Sequence, residues 1–182
     1  WDPSIESGGL SPENIRSARA LLWKGHCQVH ARFDVAQIAA VRERYPGAKV
    51  FVHWECSLDV VQAADGVGST SDILRGVEEA ADGSTIAIGT ELHLVSRLAK
   101  RNPRKKILPL LPGVCVCATM NRIDLPHLVW ALESLAAGRE TNVVRVPEDV
   151  AAPARDALIR MLRITEAAGG GEGRLVSVPE LH

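Results

Sequence analysis

The segment Lys24 to His30 reads KGHCQVH and carries one thiol and two imidazoles, the side chains that most often bind transition metals. Cys27 and His30 are separated by two residues, a spacing that lets both ligate one metal ion. The alternative is a buried thiol beside a hydrogen-bonded histidine. That arrangement is the commoner one for an isolated pair, because cysteine is among the most frequently buried residue types. His26 is not a candidate ligand, since in an extended chain it would point away from Cys27.

His53 and Glu55 are two residues apart in the segment VHWEC. If this segment is extended, both side chains reach the same side of the chain. An imidazole and a carboxylate that share one cavity are suited to general acid–base catalysis. The alternative is a strand end that meets solvent, with Glu55 exposed and Trp54 pointing the opposite way, toward the core.

The segment GSTS, residues 68–71, combines a glycine with three hydroxyl residues ahead of a predicted helix. Ser69 and Thr70 offer hydroxyl and backbone N–H groups at the helix start, where a phosphate or carboxylate can bind. An ordinary helix N-cap uses the same residues. This stretch alone therefore supports both an anion site and a plain cap.

Two further cysteines, Cys115 and Cys117, follow the apolar segment KILPLL. In an extended chain their side chains point the same way, but a one-residue spacer makes a strained disulfide. In the segment GTE, by contrast, helix formation explains every residue. Thr90 serves as the predicted N-cap, and Glu91 in the first turn is favoured by the helix dipole.

The elements that position these residues alternate between short apolar strands and capped helices. Predicted strands cover residues 21–23, 49–53, 66–68, 85–89, 106–111 and 142–146. The predicted helices begin at Ser11–Pro12, Asp34, Ser57, residues 69–70, Thr90, Asp124 and Pro147. Where the sequence contains a helix stop signal or a clear end, the predicted helices end at Tyr45, Ala64, Gly83, Pro103 and about Ile164. A Gly-rich flexible tail is predicted to follow. The alternation predicts an α/β fold with a mainly parallel sheet, which binds ligands beyond the carboxyl ends of its strands.

The composition narrows the function further. The 182 residues are 46% hydrophobic and 24% charged, which is typical of a globular protein with a real core. A net charge of −1 gives no electrostatic case for binding nucleic acid or an anionic membrane, and no apolar run approaches the ~20 residues of a membrane helix. The start WDPSIES lacks the features of a signal peptide, so we expect a cytoplasmic protein. Because the chain begins with Trp1, we also expect a fragment or a processed chain.

The ordered set KGHCQVH, VHWEC, GSTS, IGTE and CVCATMNRIDLPHLVWALESL resembles the quinolinate synthase family, from Trp1 to about Arg163. The resemblance implies three similar α/β domains about a pseudo-threefold axis, each giving one cysteine to a single [4Fe–4S] cluster with one open iron. It implies a transferase that condenses iminoaspartate with dihydroxyacetone phosphate to form quinolinate in de novo NAD biosynthesis. Aspartate oxidase would act upstream, and the enzyme would be a homodimer.

The resemblance also assigns site residues. Cys27 and Cys117 match two of the three cluster cysteines, whereas Cys56 and Cys115 match positions that are not ligands. The residues that match catalytic or substrate-binding positions are His30, His53, Glu55, Ser69 and Thr70. Most of the family has Pro where this chain has Trp54.

The same resemblance implies a domain division. Residues 1–27 would end the second α/β domain, 28–114 would form the third, 115–165 would complete the first, and 166–182 would be the tail. The third cluster cysteine would then lie outside this chain, and the fragment alone would be inactive.

Two rival functions remain open from the residues themselves. Cys27, His30, His53 and Cys56 could together hold a structural zinc ion. Alternatively, the chain could be an α/β domain that binds a phosphorylated metabolite at GSTS without turnover.

Overall fold

A four-stranded, all-parallel sheet in the order β2-β1-β3-β4 organises the computed structural model, which describes residues 4, 8–21, 25–113, 116–167 and 175. Parallel neighbours need a crossover connection, and helices provide it here. The predicted α/β fold with a parallel sheet is confirmed. The strands are β1 Lys49–His53, β2 Gly66–Gly68, β3 Thr85–Gly89 and β4 Lys106–Pro109.

The side chains of β1 point alternately to the two faces of the sheet, and each face packs against an apolar layer. Val50 and Val52 pack with residues of the helices on one face, and Phe51 packs with those on the other. A strand buried on both faces reads as the continuous apolar run seen in the sequence. The first layer also contains Ile38, Val41 and Val60, and the second contains Ile73, Val77, Ile86, Ile88, Leu94, Val95 and Leu98.

Side-chain caps set the start of most helices. Asp34 accepts a hydrogen bond from the Gln37 amide at 2.9 Å, and Asp124 accepts one from the His127 amide at 2.9 Å. Such caps satisfy backbone donors that the first helical turn leaves unpaired. The helices are α1 Pro12–Ser17, α2 Val35–Arg44, α3 Leu58–Ala63, α4 Thr70–Glu79, α5 Leu92–Arg101, α6 Leu125–Ala136 and α7 Glu148–Ala167. None of the helices in the described residues is both long and apolar enough to cross a membrane.

The strand order places a topological switch between β1 and β3. From β1 the chain moves outward to β2, then returns past β1 to β3 and continues to β4. The connections after β1 and β3 therefore diverge and leave a crevice at the carboxyl ends of these two strands. His53 ends β1, and Thr90 directly follows β3.

Three predictions about local structure were wrong. Residues 142–146 form no strand, because an apolar β-branched run needs a neighbouring strand and none of the described ones lies beside it. Helix α4 ends at Glu79, well before Gly83. Glu91, not Thr90, caps α5, with its carboxylate accepting a hydrogen bond from the His93 amide at 2.7 Å. Of the predicted strand 21–23, residues 22 and 23 lie outside the described residues.

One turn-and-helix unit occurs twice in the chain, 90 residues apart. The segments CQVHARFD and CATMNRID both follow C-x4-R-x-D, and each forms a 3-10 turn, His30–Arg32 or Met120–Arg122. In each, the cysteine carbonyl accepts a hydrogen bond from the backbone four residues on, and the aspartate caps the following helix. This repeat was not among the features predicted from the sequence.

The two copies of this unit differ in what covers their helices. Ile38 of α2 is 1% exposed against the sheet, whereas its counterpart Leu128 of α6 is 52% exposed. Ser134 is the buried residue of α6, and α7 has none. Helices α6 and α7 thus present apolar surface that the described part of the chain leaves open.

Candidate active site

A cavity of about 510 Å³ lies at the carboxyl ends of β1 and β3, where the strand order predicts a crevice. Its volume suits a small organic ligand. Six of the seven residues selected from the sequence line it, together with residues that were not selected. The lining residues are Cys27, Val29, His30, His53, Glu55, Thr70, Thr90, Glu91, His93, Leu94, Arg97, Cys117 and Met120.

His30 is held through both ring nitrogens. Its Nδ1 lies 2.9 Å from Glu55 Oε2, and its Nε2 lies 3.1 Å from the Thr90 hydroxyl oxygen. A carboxylate oxygen accepts, so the neutral ring donates through Nδ1–H and accepts the Thr90 O–H at Nε2. Both His30 and Thr90 are buried. Glu55, His30 and Thr90 therefore form a carboxylate–imidazole–hydroxyl chain with a defined tautomer.

His53 stacks on His30, with ring centroids 4.4 Å apart and ring planes 4° apart. The Glu55 backbone N–H donates to His53 Nδ1 at 3.3 Å, which assigns the ring proton to Nε2. Burial lowers the pKa of His30, an effect that the hydrogen bond with Glu55 partly offsets. Burial also lowers the pKa of His53, and the charge that His30 would carry lowers it further. Both imidazoles are thus favoured as neutral groups that can accept a proton from a ligand.

Two partly buried thiols, Cys27 and Cys117, reach the cavity from the two copies of the repeated turn. Cys27 Sγ, a His30 ring nitrogen and a Glu55 carboxylate oxygen all lie within 4.8 Å of one another. Cys56 does not join them, because it is buried in the core and its thiol donates to the Gly89 carbonyl at 3.8 Å. Cys115 lies outside the described residues.

The hydroxyl residues of GSTS have different surroundings. Thr70 lines the cavity at the first turn of α4, where unpaired backbone N–H groups and the helix dipole favour an anion. Ser69 caps α4, and its hydroxyl donates to Asp72 Oδ2 at 2.6 Å. Arg97 of α5 adds a positive charge to the lining. The cavity therefore offers a helix start and a guanidinium group that can bind an anion, beside the proton-accepting histidines and the carboxylates of Glu55 and Glu91.

Sequence reasoning missed Thr90, Glu91, His93, Arg97 and Met120. Thr90 and Glu91 were interpreted only as helix-capping residues of the segment GTE. Thr90 nevertheless follows a strand, as the selected residues were predicted to do. His93 and Arg97 are four apart on α5 and so share one helix face, which an i, i+4 search would have found. Met120 occupies the position of His30 in the repeated turn.

Trp54 is 62% exposed and is not among the residues that line the cavity. The expectation that it points into the core was wrong, because the chain turns directly after His53 and leaves the strand. Its ring meets His53 edge-on, with centroids 6.1 Å apart. It therefore packs behind the catalytic candidates.

Comparison with known proteins identifies the family of this chain. The family model described as quinolinate synthetase A protein matches residues 7–163. Quinolinate synthase of Geobacillus kaustophilus is 49% identical over 164 residues, which cover 90% of this chain and 44% of the relative. That of Streptomyces coelicolor is 51% identical over 166 residues, covering 90% and 42%, and that of Corynebacterium glutamicum is 48% identical over 168 residues, covering 92% and 43%. The chain spans less than half the length of these relatives.

The match covers the cavity, both copies of the repeated turn and all the strands. The chain therefore belongs to the quinolinate synthetase A family.

Proposed function

We propose that the protein containing this chain is a quinolinate synthase, which condenses iminoaspartate with dihydroxyacetone phosphate in de novo NAD biosynthesis, with release of phosphate and water. One observation carries the proposal. Two thiols from segments 90 residues apart line the same cavity as a histidine pair and a carboxylate. Since the chain is less than half the length of its relatives, the activity belongs to the complete protein.

The donor set supports an iron–sulfur cluster. Cys27 and Cys117 are free thiols on the cavity wall, and thiolates are the usual ligands of such clusters. We propose that these two cysteines hold a [4Fe–4S] cluster, with the third cysteine outside this chain. When bound, a cluster with three protein ligands supplies an open iron that is a Lewis acid for a substrate oxygen.

The chain's own residues would move the protons. Imine formation, dehydration and aromatisation each require a proton to leave carbon or nitrogen and another to reach a departing oxygen. Glu55 is half exposed and hydrogen-bonded to His30, so it can exchange protons with both the ligand and the imidazole. His53 carries its ring proton on Nε2, the nitrogen that does not accept from the Glu55 amide. We assign Glu55 as the principal acid–base group, assisted by His30 and His53.

Two features of the cavity could bind the anionic substrates. Both proposed substrates carry carboxylate or phosphate groups, which the first turn of α4 and Arg97 would attract. We assign Thr70 to direct contact with a substrate anion. Ser69, which was expected to share this role, would first have to turn its hydroxyl away from Asp72.

We also propose the domain division that the resemblance implies. The sheet and helices α2 to α5 lie within residues 28–114, the expected third domain. The second copy of the repeated turn and α6 lie within residues 115–165, and the described residues leave the apolar face of α6 open. A sheet elsewhere in the complete protein would cover that face as the present sheet covers α2.

Metal analysis of the complete protein, purified without oxygen, tests the proposal. We expect about four iron and four sulfide per chain, brown absorbance, and turnover of the two substrates. Cys27→Ala and Cys117→Ala should each abolish the absorbance, whereas Cys56→Ala should retain it because that thiol lies in the core. A cluster that survives loss of Cys27 or Cys117 would refute the ligand assignment.

The main rival is a mononuclear metal site, which the convergence of Cys27, His30 and Glu55 supports. This set replaces the zinc ligands expected from the sequence, because Cys56 is buried away from the cavity. One zinc per chain without sulfide would favour this rival. Ligand binding with neither metal nor turnover would favour a phosphate-metabolite binding domain.

A further inference from the structure

Two glycines leave a hollow on the side of the sheet that α4 covers. Gly66 begins β2, and Gly76 lies in the interior of α4. A Cβ added to Gly66 would lie 3.0 Å from Phe51 Cδ1 and 3.1 Å from Leu175 Cδ1. A Cβ added to Gly76 would overlap Leu175 Cδ1 outright. The hollow is therefore filled by the side chain of Leu175.

Gly76 stands where a helix favours another residue. Glycine in a helix interior is less stable than alanine, because the unfolded chain loses more conformational freedom. A side chain at position 76 would have to displace the Leu175 side chain from its present position. The glycine in α4 and the leucine near the end of the chain thus fit as one complementary pair.

Leu175 extends an existing core. It packs against the apolar cluster of Phe51, Ile73 and Val77, between the sheet and α4. The rim of the hollow is polar and includes Lys49, Asp65 and Arg75. An apolar centre with a polar rim is the usual make-up of a specific docking surface.

We infer that Leu175 is an intramolecular anchor, which ties the chain beyond α7 to the sheet by filling the hollow between Gly66 and Gly76. The family match ends at residue 163, so the anchor lies outside the matched region. Helix α7 ends at Ala167, and the eight residue steps from there to Leu175 span at most about 28 Å. The anchor therefore keeps the end of α7 close to this side of the sheet.

The Leu175 anchor is separate from the proposed active site. Gly66 lies at the amino end of β2, whereas the cavity lies at the carboxyl ends of β1 and β3. None of the residues around Leu175 lines that cavity. The inference stands whether or not the proposed function does.

Trypsin gives a direct test, because the sequence places Arg174 immediately before Leu175. The rate at which trypsin cleaves the Arg174–Leu175 bond in the complete protein depends on the fraction of molecules in which Leu175 has left the hollow. We expect Gly76→Ala to accelerate this cleavage about tenfold or more, measured by mass spectrometry of the peptide that begins at Leu175. Glu43→Ala, a change at an exposed polar residue of α2, should leave the rate unchanged.

A double-mutant cycle supplies a second readout. In the Leu175→Ala background, Gly76→Ala should raise Tm, because alanine favours the helix and no leucine opposes it. In the parent background, the same change should give a smaller rise or a fall. An equal rise in both backgrounds, or unchanged cleavage in Gly76→Ala, would overturn the inference. Protection of the bond that weakens on tenfold dilution would also overturn it, since a second copy would then fill the hollow.

Discussion

The imidazole rings of His30 and His53 lie face to face, 4.4 Å apart and almost parallel. Two neutral rings can stack in this way, but two charged rings at this distance would repel each other in a partly desolvated site. The pair therefore acts as one unit that accepts a first proton more readily than a second. Glu55 reaches both rings, with Oε2 at 2.9 Å from His30 Nδ1 and 3.5 Å from His53 Nδ1.

This pair predicts that the protein loses stability in mild acid. The folded pKa of each ring is lowered from the ordinary value of 6.5, so the unfolded chain binds protons more strongly. Well above pH 6.5 both rings are neutral in the folded and the unfolded chain, so they do not change the free energy of unfolding. As the pH falls below 6.5 toward the lowered pKa values, the free energy of unfolding decreases. Thermal unfolding of the metal-free protein between pH 8 and 5 should show this, at about 2–4 °C in Tm per kcal/mol lost.

His53→Gln is the test variant for that prediction, because it removes one partly buried titratable ring and the partner charge that His30 would meet. The decrease in Tm between pH 8 and 5 should be smaller than in the parent. His127→Gln serves as the control, since His127 is an exposed ring at the start of α6. An equal decrease in the parent and in His53→Gln would contradict the assignment.

Glu55→Gln should separate catalysis from structure. The amide oxygen can still accept from His30 Nδ1–H, so Tm and any cluster absorbance should change little. An amide cannot exchange protons near neutral pH, and kcat should fall by about 10²–10⁴. Glu43→Gln, an exposed change on α2, is the matched control. Near-normal turnover in Glu55→Gln would remove this residue from the mechanism.

Thr90 is predicted to position His30. Thr90→Val keeps the shape of the side chain but removes the O–H that holds Nε2, so the ring can change tautomer or turn. We expect kcat to fall about tenfold or more with little change in KM, and Thr90→Ser to recover most of the loss. A merely structural role would predict the opposite for serine, because it restores the hydroxyl but removes a buried methyl group. Loss of activity in both variants would therefore indicate packing.

Much of this site was predictable from where the strands end. Cys27, His30, His53, Glu55, Thr70 and Cys117 were all selected from short strand-end motifs, and all line the cavity. The parallel strands β1 and β2 bring His53, Glu55 and Thr70 to one edge of the sheet. The four strands from 49 to 109 were equally predictable, because apolar runs buried on both faces have few alternatives.

The misses share a physical cause, which is that local sequence does not show a residue's partner. Thr90 matches a helix cap as well as it matches a hydrogen-bond donor, and only the approach of His30 decides between them. Residues 142–146 have strand propensity, but a strand exists only beside another strand. Leu175 lies in a Gly-rich tail that predicts flexibility, and only the hollow beside Gly76 reveals its contact.

The repeated turn predicts how the complete protein covers α6. Ile38→Ala empties a core position that is 1% exposed and should cost about 2–5 kcal/mol of unfolding free energy in any form of the protein. Leu128 occupies the same place in the second copy but is 52% exposed, so Leu128→Ala in the 182-residue chain should cost less than about 1 kcal/mol. If a sheet elsewhere in the complete protein covers α6, the cost of Leu128→Ala there should approach that of Ile38→Ala. Urea unfolding of both variants in both lengths measures the difference. A small cost for Leu128→Ala in the complete protein would show that α6 is not covered as α2 is, and would refute the proposal that residues 115–165 complete another domain.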